Sequence, residues 1–174
     1  SKLDLNNSWN YSDALESQDH IIIERKYGLF INGQFVKPNS KKYFDTVNPA
    51  TDEVISKIAK ANEEDVDLAV KSAREAFAVW SNISPKERGK YIFRIARMIQ
   101  ERAKEFAVIE SIDGGKPIRE SRDIDIPLAA NHFFYYAGWA DKLEYAFPNK
   151  TPKPLGVAGQ IIPWNFPLLM VAWK

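Results

Sequence analysis

The chain has 174 residues, 45% of them hydrophobic, and its 24 basic and 23 acidic side chains leave a net charge of +1. That balance gives no electrostatic basis for binding nucleic acid or an anionic membrane, and no apolar run approaches the ~20 residues of a bilayer-spanning helix. Because there is no cysteine, disulfides, thiolate metal sites and a cysteine nucleophile are excluded within these residues.

Residues 1–27 are polar and mixed in charge, broken by Ile21-Ile22-Ile23. They read as an N-terminal arm or short helix and not as a secretory signal. In GLFINGQFV, Asn32-Gly33 between two apolar runs predicts a hairpin. FDTVNPATDEVISKIA predicts two more extended runs, joined by a turn at Asn48-Pro49-Ala50-Thr51-Asp52. Asn62 then caps a helix, and Glu63, Glu64 and Asp65 read as a solvated acidic cluster favoured by the helix dipole. Val66, Ala69, Val70, Ala73 and Phe77 predict a buried face.

Ser84-Pro85 starts a second helix with the apolar stripe Ile92, Ile95, Ala96 and Ile99. Ala103 to Ile112 predicts a further helical run, stopped by Gly114-Gly115. Asp113-Gly114-Gly115-Lys116-Pro117 is a helix end and turn, with Asp113 a lone candidate cation ligand. A third long helix is predicted from Asp125 to Glu144, with Pro127 in its first turn. Asp123 and Asp125 do not share a helix face at this spacing and read as helix-start residues. The segment HFFYYAGWA reads as core or subunit interface, with His132 a packing residue. His20 and His132 make no metal or triad pattern.

YAFPNKTPKPLG, residues 145–156, has three prolines and two lysines and reads as a connector or edge hairpin. Val157–Ile162 is apolar with β-branched residues and predicts a buried strand. Hairpins and a helical layer followed by a buried strand describe an α/β domain whose sheet has barely begun at Lys174. No dinucleotide fingerprint or Walker loop is present. Asn165 lies between Trp164 and Phe166, fenced by Pro163 and Pro167, just past the strand, where ligands collect in open α/β sheets. By spacing alone it reads as a turn residue. Its amide could also donate to a developing oxyanion, an interaction of roughly 3–4 kcal/mol in a transition state.

The order LFINGQFV, TVNPATDEVI, the Asp65-Val66-Asp67 helix with AREAF and Trp80, IDGGKP, YYAGWAD and GVAGQIIPWNFPLLMVAWK resembles the N-terminal part of an NAD(P)-dependent aldehyde dehydrogenase. The resemblance covers nearly all of residues 28–174. It implies that residues 28–144 begin a cofactor-binding domain. Residues 145–156 are then a short connector or oligomerisation hairpin, and residues 157–174 the first core strand of a Rossmann-like sheet and a truncated helix. The implied reaction oxidises an aldehyde to a carboxylic acid with NAD or NADP, through a thiohemiacetal on a Cys that, with a Glu base, lies beyond these residues. The resemblance makes Asn165 the oxyanion donor, and Ile161, Ile162, Pro163 and Trp164, with Asn165, the cofactor contacts. Leu128, Phe166, Leu169, Met170 and Trp173 become the substrate tunnel, and the Val47 carbonyl with Asp113 a monovalent-cation site.

The short, proline-rich 145–156 segment replaces a longer hairpin of many members. It implies a dimer over a tetramer and, with the polar arm, resembles the tandem-domain branch of the family. The further expectations are a small-molecule aldehyde substrate, no nucleic-acid or membrane partner, and a cytoplasmic location. The chain is expected to be part of one several times longer, inactive by itself. The alternatives are a non-catalytic relative that keeps the fold as a scaffold, and a free-standing binding module.

Overall fold

The computed structural model describes Ala14 and residues 17–174, so much of the predicted arm lies outside the described residues. Its described part forms no helix and ends in a short strand, β1 (Lys26–Tyr27). The hairpin at Asn32-Gly33 is formed by β2 (Leu29–Ile31) and β3 (Gln34–Val36). Asn32 and Gly33 both have positive φ, 52° and 76°, as a two-residue turn matched to strand twist requires.

The antiparallel pair β4 (Tyr43–Val47) and β5 (Val54–Ala59) also forms. Its turn is closed by Asp52 N–H donating to the Asn48 carbonyl at 2.9 Å. β1 adds in parallel to the other edge of β5, giving the order β1-β5-β4.

Helix α1 (Glu63–Trp80) starts with a reciprocal cap. Asn62 Oδ1 accepts from Asp65 N–H at 3.1 Å, and Asp65 Oδ2 accepts from Asn62 N–H at 3.0 Å. Asp65 also accepts from Asn39 N–H, so it is buried and does not belong to a solvated acidic cluster. The predicted buried face of α1 is only half covered. Val70, Ala73 and Phe77 are half-buried while Val66 and Ala69 are exposed, because few described residues pack on this helix.

Helix α2 (Pro85–Glu101) is capped by Ser84, and α3 (Ala103–Gly114) stops at left-handed Gly115, with φ 68°. A Cβ on Gly115 would come within 2.8 Å of Pro49 Cγ, so glycine is needed there for both backbone and space.

The third long helix differs from expectation at both ends. It begins with α4 (Ile118–Glu120) and a π-helical turn, Ser121–Asp125, before α5 (Ile126–Trp139). The π turn accommodates Pro127, which lacks an N–H for a regular ladder. After α5 the chain turns, and α6 (Leu143–Ala146) is separate. Phe133 of the aromatic segment packs on the core while Tyr135 and Tyr136 face outward. The core is Ile99, Ala107, Ile126 and Ala130, with Phe106 and Leu168 against it. The last helix, α7 (Pro167–Trp173), lies on α5.

Neither the strand over Val157–Ile162 nor a hairpin at 145–156 is formed. Residues 151–162 are in neither helix nor strand and are almost all exposed. A strand needs a neighbour to satisfy alternate N–H and C=O groups, and the strands the chain does form pair only among themselves.

Candidate active site

The stretch from Pro163 to Pro167 turns the chain from that exposed run into α7. Pro167 takes the first helical position, where its missing N–H is no loss. Phe166 is the cap residue, and its carbonyl accepts from Met170 N–H at 2.9 Å. Asn165 is exposed at the bend. Among the described residues nothing accepts from its side-chain amide, so the turn hydrogen bond suggested by spacing alone is not made. An amide held between two prolines with its donors unspent can polarise a carbonyl oxygen.

Upstream, the backbone of residues 151–165 makes no backbone hydrogen bond among the described residues. Ile161 is 92% and Trp164 82% exposed, while Ile162 is half-buried. An apolar strip with unspent backbone groups suits the flat face of a nicotinamide dinucleotide. It holds no cationic side chain from Leu155 to Asn165, so it offers nothing ionic to the phosphates.

Phe166, Leu169, Met170 and Trp173 recur at helical spacing and share one side of α7. Leu169 is buried and Met170 half-buried. Trp173 Nε1–H donates to His132 Nε2 on α5 at 2.6 Å. Leu128 lies one turn before His132, so the predicted tunnel residues of α5 and α7 are on adjoining surfaces.

A buried ionic cluster behind this surface escaped the sequence reading. Lys116 Nζ donates to Glu110 Oε1 at 3.0 Å and to Asp125 Oδ2, and it lies 4.1 Å from the centroid of the Phe166 ring. Asp125 stands at the start of α5, as expected, but its side chain makes no cap bond there and serves instead as an ion-pair partner. Burial pushes the Glu110 carboxyl above its ordinary range; the bond from Lys116 opposes that shift and Asp125 adds to it. Burial also works against the Lys116 ammonium, but its bonds to Asp125 and Glu110 outweigh burial and leave its pKa raised. One sequence signal was available. Glu110 falls on the apolar stripe of α3 with Ala103, Phe106 and Ala107, where an acid requires a buried partner.

Of the two expected cation ligands, Asp113 meets the residue that precedes Val47. Thr46 Oγ1 donates to Asp113 Oδ1, and Val47 follows Thr46 at an irregularity in the β4–β5 register. Asp113 is exposed. Among the described residues no three His, Cys, Asp or Glu side chains converge as metal ligands. No helix among them is long and apolar enough to cross a membrane.

The sequence pattern of the aldehyde dehydrogenase family matches residues 35–174. An aldehyde dehydrogenase of Alternaria alternata is 44% identical over 160 residues, which are 87% of this chain and 32% of that protein. The mitochondrial aldehyde dehydrogenase family 2 member B4 of Arabidopsis thaliana is 46% identical over 156 residues, 84% of this chain and 29% of that one. Among solved structures, the NAD+ complex of an aldehyde dehydrogenase from Bacillus cereus superposes with a TM-score of 0.80 at 39% identity, covering 87% of this chain and 33% of that one. A variant of the indole-3-acetaldehyde dehydrogenase of P. syringae, in complex with NAD+ and IAA, gives 0.81 at 34% identity, over 89% of this chain and 33% of that one. The chain thus spans about a third of the length of the relatives it matches.

Proposed function

The chain belongs to the aldehyde dehydrogenase family, and from that premise we propose that it contributes the oxyanion donor and part of the cofactor floor to an enzyme oxidising an aldehyde to a carboxylic acid with NAD or NADP. The observation that carries this is the unpartnered Asn165 amide, exposed at a proline-braced bend beside the apolar strip Ile161–Trp164.

In this reading the Asn165 NH2 donates to the aldehyde oxygen and strengthens its hold as charge develops there. Asn has no titratable proton, so the donor works at any pH. Ile161, Ile162, Pro163 and Trp164 present apolar faces and backbone groups against which the dinucleotide lies. When bound, the nicotinamide accepts hydride from the substrate carbon. Phe166, Leu169, Met170 and Trp173, with Leu128 across from them, wall the approach to Asn165 and keep water away from the reacting carbonyl. Such a wall suits an apolar or aromatic aldehyde.

The chain has no cysteine, so the nucleophile that forms the thiohemiacetal, and the Glu base, come from residues outside it. These residues alone are accordingly inactive. The Val47 carbonyl and Asp113 provide two of the ligands of a monovalent-cation site. The domain division at residues 27, 144 and 156, the dimer, and the cytoplasmic location belong to the same proposal.

The test is cofactor reduction by the full-length protein with an aromatic aldehyde. Asn165→Ala lowers kcat by about 10²–10³. Turnover close to the parent's removes Asn165 from its assigned role. Absence of turnover in the parent favours a scaffold.

A further inference from the structure

One ammonium group joins three elements of the chain next to Asn165. Lys116 follows the stop of α3, Glu110 lies on α3 itself, and Asp125 closes the π-helical turn. The side chains of Glu110 and Asp125 are 6% and 2% exposed, and that of Lys116 12%. The Ser111 hydroxyl donates to the Lys116 carbonyl at 2.6 Å, fixing the backbone as well. Nζ lies 4.1 Å from the Phe166 ring centroid, inside the ~6 Å range over which a cation is drawn to an aromatic face. The ammonium side of this contact is shielded, while Phe166 itself is 37% exposed.

We propose that Lys116, seated on Glu110 and Asp125, is a positioning residue for the Asn165 amide: it pins the Phe166 ring and so fixes the backbone from which the adjoining amide is aimed. The inference rests on the reading of Asn165 as the oxyanion donor. It follows from the length of α7, which at seven residues is too short to hold its orientation by its own hydrogen bonds. Side chains must anchor it. At its rear Trp173 is bonded to His132; at its front the ring of Phe166 meets Lys116. An oxyanion donor is effective only if it is in place before charge develops. A simple packing role does not account for the cluster, because apolar residues of the same volume would fill the space without desolvating three charges.

The experiment uses the full-length protein with an aldehyde and NAD+. The combined variant Lys116→Met/Glu110→Gln/Asp125→Asn keeps the volume of the cluster and removes its charge. Its kcat falls about 10-fold to 10²-fold, the scale of a small misplacement of a reacting group. Its KM for NAD+ stays within roughly two-fold of the parent's. Added to Asn165→Ala, the same changes lower kcat by less than about two-fold more, because the amide they aim is gone.

A folded combined variant with parental kcat overturns the proposal, and so does a loss that is undiminished in the Asn165→Ala background. If the combined variant does not fold, Phe166→Leu removes the ring and leaves the buried charges paired. It must then be non-additive with Asn165→Ala, and additivity overturns the proposal. Parental kcat in Asn165→Ala alone overturns the oxyanion reading and this inference with it. That outcome is separate from one in which only the Lys116 cluster proves silent.

Discussion

The α2–α3–α5 layer and the exposed run at 151–165 are both apolar, yet only the first is finished. Ile99, Ala107, Ile126 and Ala130 find each other across three helices, whereas Ile161 and Trp164 stand almost bare. A helix satisfies its backbone within its own segment, so only its side chains look for partners. A strand must find both backbone and side-chain partners elsewhere. A stretch of chain can therefore complete a helical layer while leaving an equally hydrophobic strand segment open.

Mutations in the two regions measure this contrast, and each is made in the full-length protein. Ile126→Ala, in the finished layer, destabilises by about 2–5 kcal/mol in urea unfolding. If the open run is covered by other parts of the whole protein, amides 157–162 exchange slowly with deuterium; rapid exchange would mean that the run stays bare there too.

The next effect comes from pH. The folded pKa of Glu110 is raised, chiefly by burial, above an ordinary value of 4.5, so the native state binds that proton more tightly than the unfolded chain. Its contribution to stability is present at low pH and declines as pH rises from that value through the raised one. Lys116 works at the other end. Burial is outweighed by its bonds to Asp125 and Glu110, and its stabilisation is complete below 10.5 and lost as pH climbs through the raised pKa. Urea midpoints of parent and Glu110→Gln across the acidic range should converge at low pH; parallel curves would remove Glu110 from the account.

Asn62→Ala removes one half of the α1 cap and loses about 1 kcal/mol. The smallest effect is at Lys57, whose 2.6 Å pair with Asp45 is exposed on both sides. Lys57→Ala changes the urea midpoint by the equivalent of no more than ~0.5 kcal/mol. A larger loss would mean that the β4–β5 face is covered in the whole protein.

What was legible in the sequence were features encoded within a few residues. Asn32-Gly33, the Asn62 cap, Ser84-Pro85 and Gly115 each carry their own backbone chemistry, and each stands where expected. What was not legible depended on partners distant in the chain. Asp65 reads as solvated in the sequence because its bond from Asn39 crosses from another loop. Asp125 stands at a helix start as its spacing suggests, but its ion pair depends on Lys116, which comes from the turn before. The strand at Val157–Ile162 has the right composition but lacks a neighbour to make it one. At the site, Asn165 stood out by its place between two prolines, while the cation under Phe166 had no motif to announce it.

The π-helical turn at Ser121–Asp125 is best understood as a phase correction. Each residue advances a regular helix by ~100°, and a π turn absorbs one extra residue by widening locally. Apolar residues on either side of it can then reach the same core along one continuous helical path. Ile118 of α4 packs there from before the turn, and Ile126 and Ala130 from after it. Deleting one residue from this turn would restore an ordinary helix with no loss of helical content. It would also put the two sides out of step, so that seating Ile126 in the core rotates Ile118 away from it.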